Sequence, residues 1–403
     1  MTHPFASTDR SPRAARALVR ALAVLVLAGG VTGCATVRGW FADDDSSPTE
    51  PNALVEFSPS VTVAPLWSAR VGDGEGGLGL RQGPVVDSGR VYAAAVEGGV
   101  RALDLQTGQG VWTYPSKARL SGGPGVGEGL VVVGGLDGDV IALDAASGAE
   151  KWRAKVGNEV IAAPVIAQGR VFVRSNDGRV TAFDAATGER RWFWNRDLPS
   201  LTVRGNDAVT AGPGVLFVGN DDGTVAMLAM DDGRPLWDIP VGQPEGRTEL
   251  DRMADVDGTP VLEGGTVFAT SYKSRTMAID GPSGRPLWAA EHGGAGRPAV
   301  AADRIVVAEP NGAVFGLDKQ SGAALWQQPG LARRAVSGAA VVGEYAVVAD
   351  FEGYVHWLRL DNGDFAARSR AGRDAVRAAP VVADGIVLVQ NVDGGLTAFR
   401  VGQ

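Results

Sequence analysis

The stretch EGGVRALDLQTGQGVW, residues 97–112, contains a glycine pair, an alternating apolar run ending in Asp104, a Thr-Gly step and a lone tryptophan. LDGDVIALDAASGAEKW at residues 136–152 and NDGRVTAFDAATGERRW at residues 176–192 repeat this spacing. Counted from Gly98, eight copies of the pattern start 40, 40, 45, 51, 38, 41 and 41 residues apart. Such a regular period indicates a repeat architecture rather than a single ligand-binding motif.

Each copy also has an upstream half, so one unit is predicted to contain four short strands joined by glycine turns. Asp-Gly and Asn-Gly steps suit tight hairpins, because glycine adopts positive φ at little cost. Four strands in about forty residues are typical of one propeller blade. The sequence therefore predicts an all-β, eight-bladed β-propeller with four antiparallel strands per blade.

Two positions that recur among the copies of the repeat have a structural explanation. The aspartate at the strand end can accept hydrogen bonds from amides of the following turn. The tryptophan should lie on the outer strand and pack against the neighbouring blade. The docking tryptophans predicted in this way are Trp67, Trp112, Trp152, Trp192, Trp237, Trp288 and Trp326. The seventh copy has Arg359 and Ala367 at these two positions.

The eighth copy ends before its outer strand. VTVAPLWSARVG, residues 61–72, carries Trp67 in the setting of an outer strand. We therefore expect this N-terminal strand to complete the last blade, which closes the ring and removes two exposed sheet edges. The propeller is predicted to span residues 61–403.

The N-terminal region has the pattern of an export signal. Four arginines precede a short apolar run, and small residues follow it. The run is too short for an ordinary membrane-spanning helix. Val31-Thr32-Gly33-Cys34 resembles the lipobox of bacterial lipoproteins, in which the cysteine carries the lipid. The prediction is a signal peptide over residues 1–33, a lipid attached to Cys34 and a flexible tether over residues 34–60.

Composition limits the other functions. The formal net charge is −8, which argues against a general affinity for nucleic acid. One cysteine and three histidines supply neither a disulfide framework nor the ligands of a zinc site. Asp251, Asp255 and Asp257 lack the ligand spacing of an EF-hand calcium loop. No metal, cofactor or catalytic residue is predicted.

The repeat resembles the tryptophan-docking repeat of quinoprotein-like eight-bladed propellers. Two families of that fold are relevant, the PQQ-dependent alcohol and glucose dehydrogenases and the BamB family of outer-membrane assembly lipoproteins. The two long intervals contain RDLPSLTVRGNDAV, residues 196–209, and GRTELDRMADVDGTPV, residues 246–261. Both segments are similar to segments that are distinctive of the BamB family.

The resemblance implies a non-catalytic scaffold on the periplasmic face of the outer membrane, within the β-barrel assembly (BAM) complex. In that family the corresponding loops meet a periplasmic POTRA domain of BamA. The implied partners are BamA, other BAM components and unfolded β-barrel substrates. The implied contact residues are Leu201, Val203 and Arg204, with Glu249, Asp251, Arg252, Asp255 and Asp257 shaping a neighbouring charged surface.

Other interpretations stay open at this stage. Leu201 and Val203 alternate as core residues of any strand do. The fold alone also permits a PQQ-dependent oxidoreductase or a propeller that binds peptides or glycans. Against the oxidoreductase stand the single cysteine, which the lipobox uses, and the short loops between most blades.

Overall fold

The computed structural model describes residues 50–202, 207–243, 246–248, 250, 253–272 and 275–402. Within these ranges the chain forms 32 β-strands, arranged as eight four-stranded antiparallel sheets. The sheets are the blades of a β-propeller, so the predicted fold class is confirmed. No helix among these residues is long and apolar enough to cross a membrane.

Seven blades use four consecutive strands, and the first four of them lie between residues 85 and 240. Their strands are β2 (Val85–Asp87), β3 (Arg90–Ala95), β4 (Gly99–Asp104) and β5 (Gly110–Tyr114); β6 (Leu120–Gly127), β7 (Leu130–Gly135), β8 (Asp139–Asp144) and β9 (Glu150–Lys155); β10 (Val165–Ala167), β11 (Arg170–Arg174), β12 (Val180–Asp184) and β13 (Arg190–Trp194); β14 (Thr210–Gly212), β15 (Val215–Gly219), β16 (Thr224–Ala229) and β17 (Pro235–Pro240).

The remaining blades follow the same order, except that the eighth takes its outer strand from the N-terminal side. Their strands are β18 (Val261–Glu263), β19 (Thr266–Thr270), β20 (Thr276–Asp280) and β21 (Pro286–Ala290); β22 (Ala299–Val300), β23 (Arg304–Ala308), β24 (Val314–Asp318) and β25 (Ala324–Gln328); β26 (Ala340–Val342), β27 (Tyr345–Ala349), β28 (Tyr354–Arg359) and β29 (Phe365–Arg370); β30 (Val381–Ala383), β31 (Ile386–Gln390), β32 (Gly395–Val401) and β1 (Val63–Arg70).

The hydrophobic core lies between neighbouring blades rather than within one. The second and third strands of each blade are almost entirely buried, because both of their faces are covered. In one cluster Val100 and Ala102 of the first blade pack with Val131, Val133 and Ile141 of the second. Short, continuously apolar strands therefore suit this fold better than alternating ones.

A recurring contact joins the outer strand of one blade to the next blade at seven of the eight joints. In seven joints a tryptophan indole N–H donates to a backbone carbonyl oxygen at 2.7–3.0 Å. The pairs are Trp67–Leu105, Trp112–Ala145, Trp152–Ala185, Trp192–Met230, Trp237–Gly281, Trp288–Lys319 and Trp326–Leu360.

The aspartate and glycine of the repeat shape the turn that receives the tryptophan. Asp104 Oδ1 accepts hydrogen bonds from the Thr107 amide at 2.8 Å and from its hydroxyl at 2.7 Å. Gly148 has a φ of +75°, and a Cβ there would lie 2.6 Å from the ring of Trp112. Glycine is thus required both by the backbone conformation and by the approaching indole.

The eighth blade closes the ring as predicted. β1 pairs antiparallel with β32, from Val63 opposite Val401 to Arg70 opposite Gly395. Trp67 on β1 then contacts the first blade through Leu105. Without β1, the outer edge of β32 would be unpaired.

The start of the folded part differs from the prediction. The flexible tether was expected to run to residue 60, but residues 52–60 pack on the seventh blade. The Asn52 amide donates to the carbonyl of Ala332 at 3.0 Å, and the Ser60 amide to that of Ala366 at 2.9 Å. This segment, NALVEFSPS, mixes polar and apolar residues and lacks the repeat spacing, so its contacts did not show in the sequence. Cys34 and the signal segment lie outside the described residues and remain predictions.

Candidate functional site

The strand order determines which loops share one end of the propeller. Within a four-stranded antiparallel blade, the hairpin between the second and third strands lies at the same end as the connection to the next blade. Both long insertions are such connections, since one joins β13 to β14 and the other joins β17 to β18. They therefore lie on one face of the ring, which we call the insertion face.

The first insertion presents leucines to solvent while its base is held in place. Leu198 and Leu201 are each 44% exposed. Arg196, two residues upstream of Leu198, bonds to the carboxylates of Asp222 and Asp238 on the fourth blade. Partial burial alone would lower the pKa of Arg196, but hydrogen bonds and charge from these two carboxylates raise it. The insertion thus rises from a fixed charged base.

The second insertion adds a further exposed apolar side chain. Leu250 is 59% exposed, the highest value among the large hydrophobic residues of the described ranges. Both insertions thus present leucine side chains to solvent on the insertion face. Five of the predicted contact residues fall outside the described residues, and these are Val203, Arg204, Glu249, Asp251 and Arg252.

Asp255 and Asp257 do not lie where the sequence suggested. They were expected on a charged surface, but both are 0% exposed. The chain turns inward after the exposed part of the second insertion, because Val256 between them is a core residue beside Val241 and Val267. The two carboxylates therefore lie beneath the surface and cannot contact a partner directly in this conformation.

The two buried aspartates form a group with Asp221. One carboxylate oxygen from each residue lies within 4.8 Å of the other two, an arrangement able to hold a cation. The guanidinium of Arg174, itself buried, lies 3.7 Å from Asp221 and supplies positive charge at this place. Neither carboxylate oxygen of Asp257 has a hydrogen-bond partner among the described residues.

This environment changes the acidity of Asp257. Burial, and secondarily the charge of Asp255, raise the pKa of Asp257 well above its usual range, although Arg81 and Arg174 act in the opposite direction. Desolvation disfavours a charged carboxylate unless a cation compensates it. The protonation of Asp257 beneath the second insertion therefore depends on the charges of Asp255, Arg81 and Arg174.

A cavity of about 920 Å³ opens at the insertion face near the ring axis. Much of its wall consists of small residues that precede or begin the innermost strands, among them Ala163, Ala208 and Gly338. Arg81, Arg297 and Arg377 also border it, together with Asp207 and Glu309. The wall offers mixed charges and no grouped catalytic acid, base or nucleophile among the described residues.

Several of these features were missed from the sequence. Leu198 and Leu250 lie in the same quoted insertions as Leu201, and their isolation among polar residues was the available signal. Arg196 and Asp221 gave no signal, because their partners are distant in sequence and are brought together by the ring.

Comparison with known proteins identifies the family of this chain. The chain matches the family described as outer membrane protein assembly factor BamB over residues 96–328 and 310–402. The chain belongs to the BamB family. Outer membrane protein assembly factor BamB of Xanthomonas campestris is 60% identical to it over 400 residues, covering 96% of this chain and 98% of the relative.

Solved structures agree in fold. The crystal structure of BamB from Moraxella catarrhalis is 24% identical, with a TM-score of 0.76, and the match covers 84% of this chain and 100% of that one. Quinohemoprotein alcohol dehydrogenase from Comamonas testosteroni also matches, with 17% identity, a TM-score of 0.64, and coverage of 84% of this chain and 76% of that one. Both likenesses concern the fold alone, so BamB membership rests on the sequence matches.

Proposed function

We propose that this chain is a non-catalytic scaffold lipoprotein of the outer-membrane β-barrel assembly complex. It binds a periplasmic POTRA domain of BamA, joins other components of the complex and helps unfolded outer-membrane β-barrel proteins to fold and insert. A lipid on Cys34 holds it to the periplasmic face of the outer membrane. The name of its relatives, outer membrane protein assembly factor, supports the general role.

The observation that carries the proposal is the exposure of leucines on both insertions. Leu198, Leu201 and Leu250 lie on one face, and the first insertion starts from the ion-paired Arg196. An apolar anchor on a fixed base loses little conformational entropy when a partner covers it. An anchor becomes a binding hot spot when the contacts around it exclude water from the interface.

The proposed contact set follows from the insertion sequences. Leu201 and Val203 supply apolar contacts, and Arg204 supplies a multidentate donor. Glu249, Asp251 and Arg252 form the charged rim. Asp255 and Asp257 act from beneath, where they support the base of the second insertion rather than touch the partner.

A pull-down from detergent-solubilised membranes tests this assignment. Leu201→Glu combined with Arg204→Glu should reduce recovery of BamA at least tenfold, because a buried charge replaces an apolar anchor. Leu287→Glu combined with Arg285→Glu is the matched control, since Leu287 is 45% exposed on the outer strand of the fifth blade. Equal recovery with both double variants would refute the proposed contact set.

Two separate measurements test the lipid anchor and the absence of catalysis. Labelled palmitate should enter the wild-type chain and not the Cys34→Ser variant. PQQ-dependent dye reduction by the purified chain would overturn the scaffold assignment in favour of an oxidoreductase. We expect no turnover, since the chain offers no evident catalytic group beside the axial cavity within its described residues.

A further inference from the structure

Residues 52–60, which we call the strap, cross the outside of the seventh blade from the insertion face to the opposite face. Asn52 bonds to Ala332 in the connection between β25 and β26, which lies on the insertion face. Ser60 bonds to Ala366 near the start of β29, at the other end of the blade. The strap therefore determines that the chain leading back to Cys34 leaves the propeller on the insertion face.

Arg334, in the connection that leads into the seventh blade, and Arg368 of β29 hold the strap through its backbone. Arg334 Nη1 donates to the carbonyl oxygen of Asn52 at 3.0 Å, and Arg368 Nη2 donates to that of Val55 at 3.0 Å. Phe57 stacks on Phe365 with ring centroids 5.4 Å apart. The Arg368 guanidinium lies 5.0 Å from the ring centroid of Phe57, so polar and aromatic contacts coincide.

Both arginines are in turn fixed from beneath by buried groups. Asp350 Oδ2 accepts a hydrogen bond from Arg334 Nε at 2.8 Å and lies 3.1 Å from His356 Nε2. Arg368 Nε donates to His356 Nδ1 at 3.3 Å. Asp350 and His356 are both 0% exposed. The side chains that hold the strap are thus themselves held by a buried polar network.

The blade that carries the strap is the one that lacks a docking tryptophan. Its outer strand has Ala366 and Ala367, which are 0% and 3% exposed. The residue before the tryptophan in the two preceding blades is exposed, as Leu287 at 45% and Leu325 at 48%. Val61, which directly follows the strap, packs against the cluster that contains these alanines. The N-terminal segment covers the surface that a tryptophan repeat would otherwise leave partly open.

We propose that the strap is a clamp that fixes the exit point of the lipid tether and limits its reach. This inference rests on the lipid anchor proposed at Cys34. Eighteen residues separate Cys34 from Asn52, which allows at most about 60–65 Å. Releasing the strap as far as Val63 would raise that limit to about 95–105 Å, since 29 residues would then span it. The clamp keeps the insertion face within the shorter distance of the membrane.

The first measurement follows hydrogen exchange of the Asn52 amide in the full chain. Phe57→Ala with Ser60→Pro removes the ring contact and one backbone donor while leaving the seventh blade unchanged. Exchange at Asn52 should become roughly tenfold faster, as expected when one or two hydrogen-bonded contacts are lost. Phe193→Ala is the control, because Phe193 lies 5.0 Å from the Arg179 guanidinium on the third blade. Unprotected Asn52 in the wild type would overturn the clamp.

The second measurement follows reach. The lipidated chain, labelled with a donor at Arg373→Cys on the insertion face, is placed in bilayers that contain acceptor-labelled lipid. Energy transfer should fall in the strap variant and stay at the wild-type level in Phe193→Ala. Unchanged transfer despite fast exchange at Asn52 would overturn the limit on reach. Absence of transfer in every variant would instead refute the anchor at Cys34, and the exchange result would still decide the clamp.

Discussion

At the scale of single residues, the fold depends on the packing of a tryptophan ring against a glycine of the next blade. Seven tryptophans each approach a glycine of positive φ in the following blade, at 2.4–2.9 Å from the place a Cβ would occupy. Real Cβ atoms do not tolerate such distances, so any larger residue must displace the tryptophan. The spacing of the repeat therefore reflects contacts between blades and does not indicate a ligand site.

This geometry predicts different costs for two similar glycines. Gly148 and Gly129 have φ values of +75° and +78°, but only Gly148 has neighbours within 4 Å of an added Cβ. Gly129→Ala should cost about 1–2 kcal/mol from backbone conformation alone. Gly148→Ala should cost roughly 1–3 kcal/mol more, because Trp112 must move. Urea unfolding of the two variants checks this, and equal losses of stability would contradict the docking role of Gly148.

At the scale of elements, the seventh blade combines a hairpin, an outer strand and the strap. Burial, more than the opposing effect of Asp350, lowers the pKa of His356, and the charges of Arg368 and Arg334 act in the same direction. The Nδ1 atom of His356 can accept the hydrogen bond from Arg368 only while it carries no proton, which requires a neutral imidazole. Protonation would therefore remove one support of the strap.

The sign of the resulting pH dependence follows from linkage. Because the folded-state pKa of His356 is depressed, the unfolded chain binds the proton more readily. The stability associated with a neutral His356 is fully present above about pH 6.5 and is lost as the pH falls through the folded-state pKa. The thermal midpoint should fall between pH 7 and 5 in the wild type and fall less in His356→Gln. An identical slope in both proteins would exclude His356 as the cause.

The sequence was informative about elements wherever a contact repeats. Strands, turns, docking tryptophans and the closing role of β1 all follow from eight copies of one pattern. Contacts that occur once were not predictable. Residues 52–60 carry no repeat spacing that marks them as packed, and Asp255 and Asp257 resemble surface charges until Val256 is seen in the core. The insertions could be located by the stretched intervals, but which of their side chains face solvent depended on the three-dimensional path.

At the scale of the whole molecule, one joint differs from the other tryptophan joints. β1 has no short covalent connection to β32 and is held to the eighth blade by backbone pairing and by side-chain bonds such as that of Arg70 to Asp393. Outer strands such as β13 are in addition linked to their blade by a short turn. The docking contacts themselves are equivalent, since Trp67 and Trp192 donate to Leu105 and Met230 at 2.9 and 3.0 Å. A repeat architecture loses cooperativity first where its units are least connected. We therefore expect the ring to open at the eighth blade.

Hydrogen exchange on two matched variants tests this expectation. Trp67→Ala should speed exchange along β1 while the inner strands of other blades stay protected, because the freed strand can leave without unfolding its neighbours. Trp192→Ala removes the same indole contact, but β13 remains tied to β12 through the turn at Gly188. Its effect should appear as a loss of protection across several blades rather than in β13 alone. If β1 in Trp67→Ala exchanges no faster than β13 in Trp192→Ala, the closing joint is as strong as the covalently continued ones, and opening does not begin there.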